Sequence, residues 1–183
     1  MSNKAVFLDR DGVINVDHAY VYKPQDFEFI DGVFAACAEF VKQGFRLIVV
    51  TNQSGIARGY YTEAQFAELS EWMQAQFVAH NINIDAIYYC PHHPKKGLGD
   101  YLQDCDCRKP QPGMLQRGIE AFDLDPSQCV MVGDKHGDMV AAKRCNIGTK
   151  VLVKSGQDFS DEAIKDADHV CNSLADVPAL LSV

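Results

Sequence analysis

The sequence predicts an α/β protein built on a doubly wound, mainly parallel sheet with helices on both faces. Short apolar runs alternate with longer segments of helical periodicity along most of the chain. The runs are continuously apolar, which is typical of strands buried on both faces, and several of them end directly at a polar residue. With 183 residues, the length fits a single domain, residues 1–183.

The first part of the chain contains two predicted strands with a helix between them. Ala5 to Leu8 form the first strand, which ends at Asp9. Asp31 is expected to cap the helix, and Gly44 is expected to follow its C-terminus. Phe45 to Val50 form the second strand. The predicted apolar face of the helix consists of Phe34, Cys37, Phe40 and Val41.

A long amphipathic helix and a third strand are predicted next. Thr62 and Gln65 have the spacing of a capping box, which marks the start of this helix. Ile84 to Tyr89 are predicted to form the third strand, and the chain then continues directly into Cys90. The buried face of the helix is expected to consist of Phe66, Leu69, Met73 and Phe77.

The C-terminal part repeats the alternation of helix and strand. From Ser160 onward we expect a short helix, an edge strand around His169 to Cys171 and a last short helix. Asp9, Thr51 and Asp134 each follow an apolar strand, and such strand ends line one crevice in an open parallel sheet. The other predicted elements are, in order, a helix from Pro112 or Gly113 to about Phe122, a strand at Cys129 to Val132, a helix from about Gly137 to Cys145 and a strand at Lys150 to Val153.

The composition argues against several classes of protein. The formal charge of −8, from 17 basic and 25 acidic residues, disfavours a nucleic-acid surface, which depends on clustered Lys and Arg. No apolar run approaches the roughly 18 residues of a membrane span, so no membrane insertion is expected. An odd number of cysteines, seven, without an N-terminal apolar segment favours a reduced, cytoplasmic protein over a secreted disulfide framework. A monomer is the default expectation.

Carboxylates concentrate at two of the predicted strand ends. Asp9 and Asp11 lie two residues apart just past the first strand, so both can address one small volume. Two like charges held this close are costly unless a cation neutralises them. Mg²⁺ prefers hard oxygen ligands and pairs readily with phosphate, and Asp134 from another strand end would complete its site.

Groups that can bind phosphate are predicted at the same edge of the sheet. Thr51, together with the loop amides of Asn52 to Ser54, can donate hydrogen bonds to phosphate oxygens. Lys109 can supply a fixed positive charge to a transferring phosphoryl group. Arg108 offers a fork of donors for a second anionic or hydroxyl-rich part of a substrate, with a solvated loop charge as the alternative.

The irregular segment of about residues 90–110 carries a second set of metal ligands. A C-x-H pair and a C-x-C pair suit tetrahedral zinc with every position filled, which is a structural site. His93 competes with His92 for the histidine position, and His92 is preferred because its spacing from Cys90 lets both side chains fold back to one point. The predicted Zn²⁺ ligands are Cys90, His92, Cys105 and Cys107.

Several motifs together resemble a known superfamily. Their order is DRDGV from Asp9, TN from Thr51, a lone lysine at Lys109 and GDKHGD from Gly133. This order resembles the haloacid dehalogenase (HAD) superfamily of phosphohydrolases. YYCPHHP and CDCRKPQPGM, with DRDGVIN and TNQSGIARG, are similar to its subfamily of D,D-heptose 1,7-bisphosphate and histidinol-phosphate phosphatases. The resemblance implies a Rossmann-like HAD fold that is capless and carries a zinc-binding loop.

The resemblance also implies a role for each matching residue. Asp9 would be the nucleophile that forms an aspartyl-phosphate, and Asp11 the general acid and then the general base. Thr51 and Lys109 would orient and neutralise the phosphoryl group. The implied Mg²⁺ ligands are Asp9, the carbonyl of Asp11 and Asp134, with Asp138 as a possible support for the metal or a plain helix N-terminal carboxylate.

The implied substrate is a phosphorylated sugar, heptose 1,7-bisphosphate, whose hydrolysis to the 1-phosphate is a step toward the lipopolysaccharide core. Histidinol phosphate is the alternative in the same class, and a nucleic-acid end phosphatase is disfavoured by the acidic balance. A zinc-stabilised binding protein without catalysis is a further alternative, against which the complete set of predicted catalytic residues argues. The candidate substrate contacts are Asp17, His18, Ala19, Tyr20, Asn52, Gln53, Ser54, Arg58, Arg108 and Lys135.

Overall fold

The computed structural model describes residues 2–182, which contain a six-stranded sheet of order β3-β2-β1-β4-β5-β6. Every neighbouring pair of these strands is parallel, which confirms the predicted fold class. The strands are β1 (Ala5–Leu8), β2 (Arg46–Asn52), β3 (Ala86–Cys90), β4 (Val130–Gly133), β5 (Thr149–Val153) and β6 (His169–Cys171).

Helices cover both faces of this sheet. Residues of α1 and α3 share one buried cluster with β1 and β2, and residues of α4 and α5 share another with the opposite faces of the same strands. Within residues 2–182, none of the helices is long and apolar enough to cross a membrane. The helices are α1 (Val33–Lys42), α2 (Ser54–Ala57), α3 (Glu63–Ala79), α4 (Gly113–Ala121), α5 (His136–Arg144), α6 (Asp161–Asp166) and α7 (Val177–Leu181).

The central strand β1 shows why the apolar runs are continuous. Its side chains alternate between the two faces, because successive residues of a strand point in opposite directions. Val6 and Leu8 contribute to one core cluster, and Ala5 and Phe7 to the other. All four are fully buried, so neither face tolerates a polar residue.

The strand order places a crevice beside β1. From β1 the chain moves outward through β2 and β3, then crosses back to β4 on the other side and continues outward to β6. The connections therefore diverge at the carboxyl ends of β1 and β4. In doubly wound folds, such a reversal of direction is the place where ligands bind.

Two details of the sequence prediction are wrong, and both concern α1. Gly32, with φ 86° in the left-handed region, occupies the N-cap position instead of Asp31, and no side chain caps the helix. Val41 is 46% exposed and lies outside the buried face. By contrast, Thr62 and Gln65 form the predicted capping box of α3. The predicted buried face of α3 is confirmed at Phe66, Leu69, Met73 and Phe77.

Candidate functional site

Asp9 is the first residue after β1, and its side chain is buried in the crevice between β1 and β4. Its Oδ1 accepts a hydrogen bond from the amide of Arg10 at 2.8 Å and lies 3.2 Å from Nζ of Lys109. Burial and the nearby carboxylates of Asp138 and Asp134 raise the pKa of Asp9, although Lys109 opposes them. The side chain is therefore a buried acid whose ionised form needs compensating positive charge.

Asp134 is fully buried at the end of β4, where two glycines allow its carboxylate to approach. A Cβ at Gly12 would lie 2.4 Å from Oδ2 of Asp134, and one at Gly156 only 2.1 Å, so neither position accepts a side chain. Oδ2 accepts a hydrogen bond from the amide of Gln157 at 3.1 Å. Burial and Asp138 raise the pKa of Asp134 to about 6.

These acids fit a divalent cation. Carboxylate oxygens of Asp9, Asp134 and Asp138 lie within 4.8 Å of one another. Oδ1 of Asp134 is buried and has no hydrogen-bond partner among residues 2–182. The raised pKa values of Asp9 and Asp134 and the unpaired buried oxygen of Asp134 mark an environment of hard oxygen atoms that Mg²⁺ would stabilise.

Lys109 bridges the acids of this cluster. Its Nζ lies 2.6 Å from Oδ1 of Asp138 and donates a hydrogen bond of 2.8 Å to the carbonyl of Val50. Burial alone would lower the pKa of Lys109, but the carboxylates of Asp138 and Asp9 outweigh it and raise the pKa. The side chain of Asn52 holds the main chain of Lys109, because its amide accepts from the Lys109 N–H at 3.0 Å and donates to the Lys109 carbonyl at 3.1 Å.

Asp138 makes the contacts of a helix N-terminal carboxylate, which is the second of the two roles that the sequence left open. Its Oδ2 accepts hydrogen bonds from the amides of Asp134 at 3.1 Å and Lys135 at 3.2 Å, at the start of α5. Its Oδ1 faces Lys109. The carboxylate thus fixes the loop after β4 and neutralises the lysine at the same time.

The carboxylate of Asp11 points away from the acidic cluster. Its Oδ1 accepts hydrogen bonds from Nη2 of Arg10 at 2.9 Å and Nδ2 of Asn15 at 3.0 Å, and its Oδ2 accepts from Nε2 of Gln53 at 3.1 Å. Burial would raise the pKa of Asp11, but Arg10 and these hydrogen bonds outweigh it and lower the pKa. Asp9 and Asp11 therefore occupy different electrostatic environments although they are two residues apart.

A cleft of about 400 Å³ lies above these residues. His18 lies outside this cleft, with its Nε2 3.3 Å from a Glu28 carboxylate oxygen, and Arg58 places its guanidinium 5.7 Å from the ring centre of Tyr20 at the rim. Of the predicted substrate contacts, the residues that line the cleft are Asp17, Ala19, Tyr20, Asn52, Gln53, Ser54, Arg108 and Lys135.

Three residues that line the cleft were not among the predicted site residues: Gly137, which has no side chain to contribute, Gln157 and Tyr61. The main-chain N–H of Gln157 donates a hydrogen bond to Asp134, and its side-chain Nε2 donates to Oδ2 of Asp17 at 2.9 Å. It follows the end of β5, so the rule that strand ends carry the site could have found it. Tyr61 lies directly before the N-cap of α3, where an apolar packing residue is usual, and the sequence gives no signal of a polar role.

The predicted zinc ligands converge. Nδ1 of His92 lies 3.7 Å from Sγ of Cys90 and 3.4 Å from Sγ of Cys107, and Sγ of Cys105 lies 3.5 Å from both sulfurs. For zinc–sulfur bonds of about 2.3 Å, tetrahedral ligands are separated by about 3.7 Å. The sulfurs of Cys90 and Cys107 are closer, at 2.7 Å, and would separate by about 1 Å around an ion, whereas the other separations suit Zn²⁺. His93 turns elsewhere, because its Nδ1 accepts from the amides of Lys95 and Lys96.

One carboxylate connects the predicted zinc-binding loop, about residues 90–110, to the sheet and to α3. Glu63, the first residue of α3, accepts hydrogen bonds from the hydroxyls of Tyr89 at 2.5 Å and Tyr101 at 2.7 Å. Tyr89 precedes Cys90 in β3, and Tyr101 lies in the loop, where its carbonyl accepts from the amide of His93 at 3.0 Å. Glu63 therefore connects both parts of the zinc-binding segment.

Comparisons with known proteins agree with this geometry. A HAD-hydrolase-like family model matches residues 106–177. The chain is 55% identical to D-glycero-β-D-manno-heptose-1,7-bisphosphate 7-phosphatase of Escherichia coli K12, over 95% of this chain and 91% of that protein. It is 49% identical to the protein of the same name from Vibrio cholerae O1, over 99% of this chain and 97% of that protein.

A solved structure shares the fold over nearly the whole chain. It is D,D-heptose 1,7-bisphosphate phosphatase from B. bronchiseptica, complexed with magnesium and phosphate. The TM-score is 0.82 at 32% identity, and the match covers 97% of each chain. Magnesium in that structure agrees with the acidic cluster described above.

Proposed function

Because this chain belongs to the HAD-like hydrolases and, among them, to the family of the D-glycero-β-D-manno-heptose-1,7-bisphosphate 7-phosphatases, we propose that it hydrolyses D-glycero-D-manno-heptose 1,7-bisphosphate to heptose 1-phosphate. It is a phosphatase, and so a hydrolase of phosphate esters. The observation that carries the proposal is the buried Asp9 carboxylate beside Lys109, in a crevice that Asp11 and Asp134 share. The identity of the sugar in this proposal comes from the family relationship.

The proposed metal site uses oxygen ligands from two strand ends. Mg²⁺ would be held by the carboxylates of Asp9 and Asp134 and by the main-chain carbonyl of Asp11. When bound, it shields the nucleophile from the phosphate dianion and neutralises charge on the phosphoryl oxygens. We assign Asp138 to the support of this site, because its two carboxylate oxygens are engaged by Lys109 and by main-chain amides.

The two aspartates of the first loop carry the chemical steps. A carboxylate oxygen of Asp9 attacks phosphorus, the bond from phosphorus to the sugar oxygen breaks, and an aspartyl-phosphate forms. Asp11 gives its proton to the leaving sugar oxygen. The Asp11 carboxylate then takes a proton from a water that attacks the aspartyl-phosphate, which frees Asp9 and releases phosphate. The surroundings of Asp11, which lower its pKa, favour the carboxylate that acts as the base in this second step.

Three groups bind the phosphoryl oxygens in this proposal. The hydroxyl of Thr51 and the amides of the loop that ends at Ser54 donate hydrogen bonds. Lys109 contributes a positive charge whose place is fixed by the Asn52 clamp and the Val50 carbonyl. Fixed donors stabilise charge in the transition state without the cost of reorganising them during the reaction.

The remainder of the sugar bisphosphate would occupy the rim of the cleft. Arg108 and Lys135 supply positive charge there, and the segment from Asp17 to Tyr20 supplies polar and aromatic contacts. A planar guanidinium such as that of Arg108 suits the second phosphate, because it can bind two oxygens at once. The relatives are named for the β-anomer, and we propose the same preference here.

Zinc, oligomeric state and compartment complete the proposal. We propose that Zn²⁺ closes the loop of about residues 90–110 as a structural ion and takes no part in the reaction, because all its positions are filled by protein ligands. A reduced, cytoplasmic setting suits the seven cysteines, none of which forms a disulfide in this structure. We propose a monomer.

Parallel assays of phosphate release test the substrate. The α and β anomers of heptose 1,7-bisphosphate, histidinol phosphate and a 3′-phosphate oligonucleotide are compared in the presence of Mg²⁺. We expect the highest kcat/KM for the β anomer. A preference for histidinol phosphate would overturn the proposed substrate and leave the phosphatase chemistry intact.

A further inference from the structure

Tyr61 is a buried residue beside the proposed catalytic groups. Only 4% of it is exposed, and its ring stacks on that of Tyr22 with centres 5.2 Å apart and planes inclined by 11°. The ring also packs against the main chain of Gly55, where a Cβ would lie 2.2 Å from Cε1 of Tyr61. This packing fixes the hydroxyl, which donates a hydrogen bond to Oε1 of Gln53.

The amide of Gln53 is fully used. It is 2% exposed, and its Nε2 donates to Oδ2 of Asp11 at 3.1 Å and to Oγ1 of Thr51 at 2.8 Å. The opposite orientation of the amide would turn its carbonyl toward the Asp11 carboxylate, which is repulsive. Both amide hydrogens are therefore committed, and the Tyr61 hydroxyl satisfies the carbonyl.

This arrangement determines how two reactive side chains are presented. Oγ1 of Thr51 accepts from Gln53 at 2.8 Å, and its own hydrogen makes only a long contact of 3.5 Å with the Asn52 carbonyl, which a phosphoryl oxygen can replace. The Asp11 carboxylate is held on Oδ2 by Gln53 and on Oδ1 by Arg10 and Asn15. One amide thus orients both the proton donor and a phosphate-binding hydroxyl.

We infer that Tyr61 is a positioning residue of the phosphatase reaction, acting through Gln53 to orient the Asp11 carboxyl and the Thr51 hydroxyl toward the same phosphoryl group. The inference rests on the proposed roles of Asp11 and Thr51. It also gives Gln53 a task different from substrate contact, because its polar atoms are engaged inside the protein. Removal of the Tyr61 hydroxyl leaves a buried carbonyl unpaired and lets the amide turn.

A Tyr61→Phe variant tests the inference with substrates that differ in leaving group. An alkyl phosphate, such as a sugar phosphate, needs protonation of its leaving oxygen, whereas p-nitrophenyl phosphate does not. Because kcat/KM reports the steps through departure of the leaving group, we expect it to fall about tenfold for the alkyl phosphate. The fall for the aryl phosphate should be about threefold or less, from the Thr51 contact alone.

Two further variants separate positioning from packing. Tyr22→Phe removes a hydroxyl from the ring stacked on Tyr61, and we expect kcat/KM near wild type with both substrates. In a Gln53→Met background, the added Tyr61→Phe change should have no further effect, because the group through which Tyr61 acts is gone.

The inference would be overturned if Tyr61→Phe lowered kcat/KM equally for both leaving groups. It would also be overturned if Tyr61→Phe caused its full loss of kcat/KM in the Gln53→Met background. Activity like wild type in Tyr61→Phe would also overturn it. The comparison of alkyl with aryl phosphate does not depend on heptose. A failure of the proposed sugar substrate is therefore distinguishable from a failure of the role of Tyr61.

Discussion

The two candidate metal-binding clusters of this protein are built in opposite ways. The acids of the first cluster follow β1 and β4, neighbouring strands in which Leu8 pairs with Val132 and the amide of Asp9 donates to the Val132 carbonyl at 3.1 Å. In the second cluster only Cys90 lies in a strand, and its partners come from the irregular segment that follows. The sheet sets the geometry of the first cluster, whereas we expect the second to depend on the proposed zinc ion to close the loop.

The two clusters meet at Arg108 and Lys109, which directly follow the zinc ligand Cys107. Lys109 has anchors outside the loop, namely the Asn52 side chain and the Val50 carbonyl. Nη1 of Arg108 is buried without a hydrogen-bond partner among residues 2–182. Disturbance of the zinc loop should therefore reach Arg108, and with it substrate binding, more strongly than Lys109 and the chemical step.

The largest effect should come from a change in the first cluster, at Asp9. We expect Asp9→Asn to lower kcat by at least about 10³-fold, because an amide cannot serve as the nucleophile. The zinc content should stay close to wild type, because the zinc loop makes no use of this carboxylate. The midpoint of thermal unfolding should not fall, because asparagine removes a buried charge that Asp138 and Asp134 repel, while Lys109 keeps Asp138 as a partner. Assays of phosphate release measure kcat, and metal analysis measures the zinc content. Turnover near wild type would refute the assignment of Asp9 as the nucleophile.

The second largest effect should follow loss of the buried charge at Lys109. Lys109→Met leaves the Asp9 and Asp138 carboxylates without their cation, so we expect a loss of about 3–5 kcal/mol in the free energy of unfolding. The same change should lower kcat by about 10²-fold. Urea titration and steady-state kinetics measure these effects.

Lys143 provides the control for this variant. Its Nζ pairs with Asp166 at 3.2 Å, but the lysine side chain is 67% exposed. Lys143→Met should therefore change the free energy of unfolding by less than about 1 kcal/mol and leave kcat unaltered. Comparable losses in both variants would mean that burial of the Lys109 charge is not what matters.

The residues of the first cluster were easier to predict from sequence than the side chains that surround them. Asp9, Thr51 and Asp134 could be brought together by the rule that parallel strands end at one edge, and the spacing of the Cys and His residues predicted the second cluster. The hydrogen bond of Tyr61 could not be predicted, because an apolar packing residue is usual before an N-cap, and those of Gln157 could not, because they join segments that are distant in sequence. The cap of α1 was misassigned because the left-handed turn at Gly32 decides it, rather than the polar side chain of Asp31.

Loss of the structural ion should have a smaller effect, and mainly on binding. We expect Cys107→Ala to lose zinc and to lower kcat/KM about tenfold, chiefly through KM, because Arg108 loses its support while Lys109 keeps its anchors. Mg²⁺ affinity should stay within about twofold of wild type, because the sheet holds that site. Metal analysis and kinetics at several Mg²⁺ concentrations test this.

A cysteine outside the loop is the matched control. Cys171→Ala, in the edge strand β6, should leave zinc content and KM unchanged. If Cys107→Ala instead lowered kcat with no change in KM, or weakened Mg²⁺ binding strongly, the two clusters would not be as independent as their construction indicates.

The smallest effect should follow a change in the tether of the zinc loop. In Glu63→Gln one neutral carbonyl oxygen replaces a carboxylate that accepts from both Tyr89 and Tyr101, so one hydrogen bond is lost and the other is no longer charge-assisted. We expect zinc to remain bound but to leave a chelator-treated sample about threefold faster, with KM raised by less than about threefold. Glu68→Gln, exposed on the same helix, should change neither quantity. Equal zinc release rates in wild type and Glu63→Gln would mean that the cysteine and histidine ligands hold the loop without help from α3.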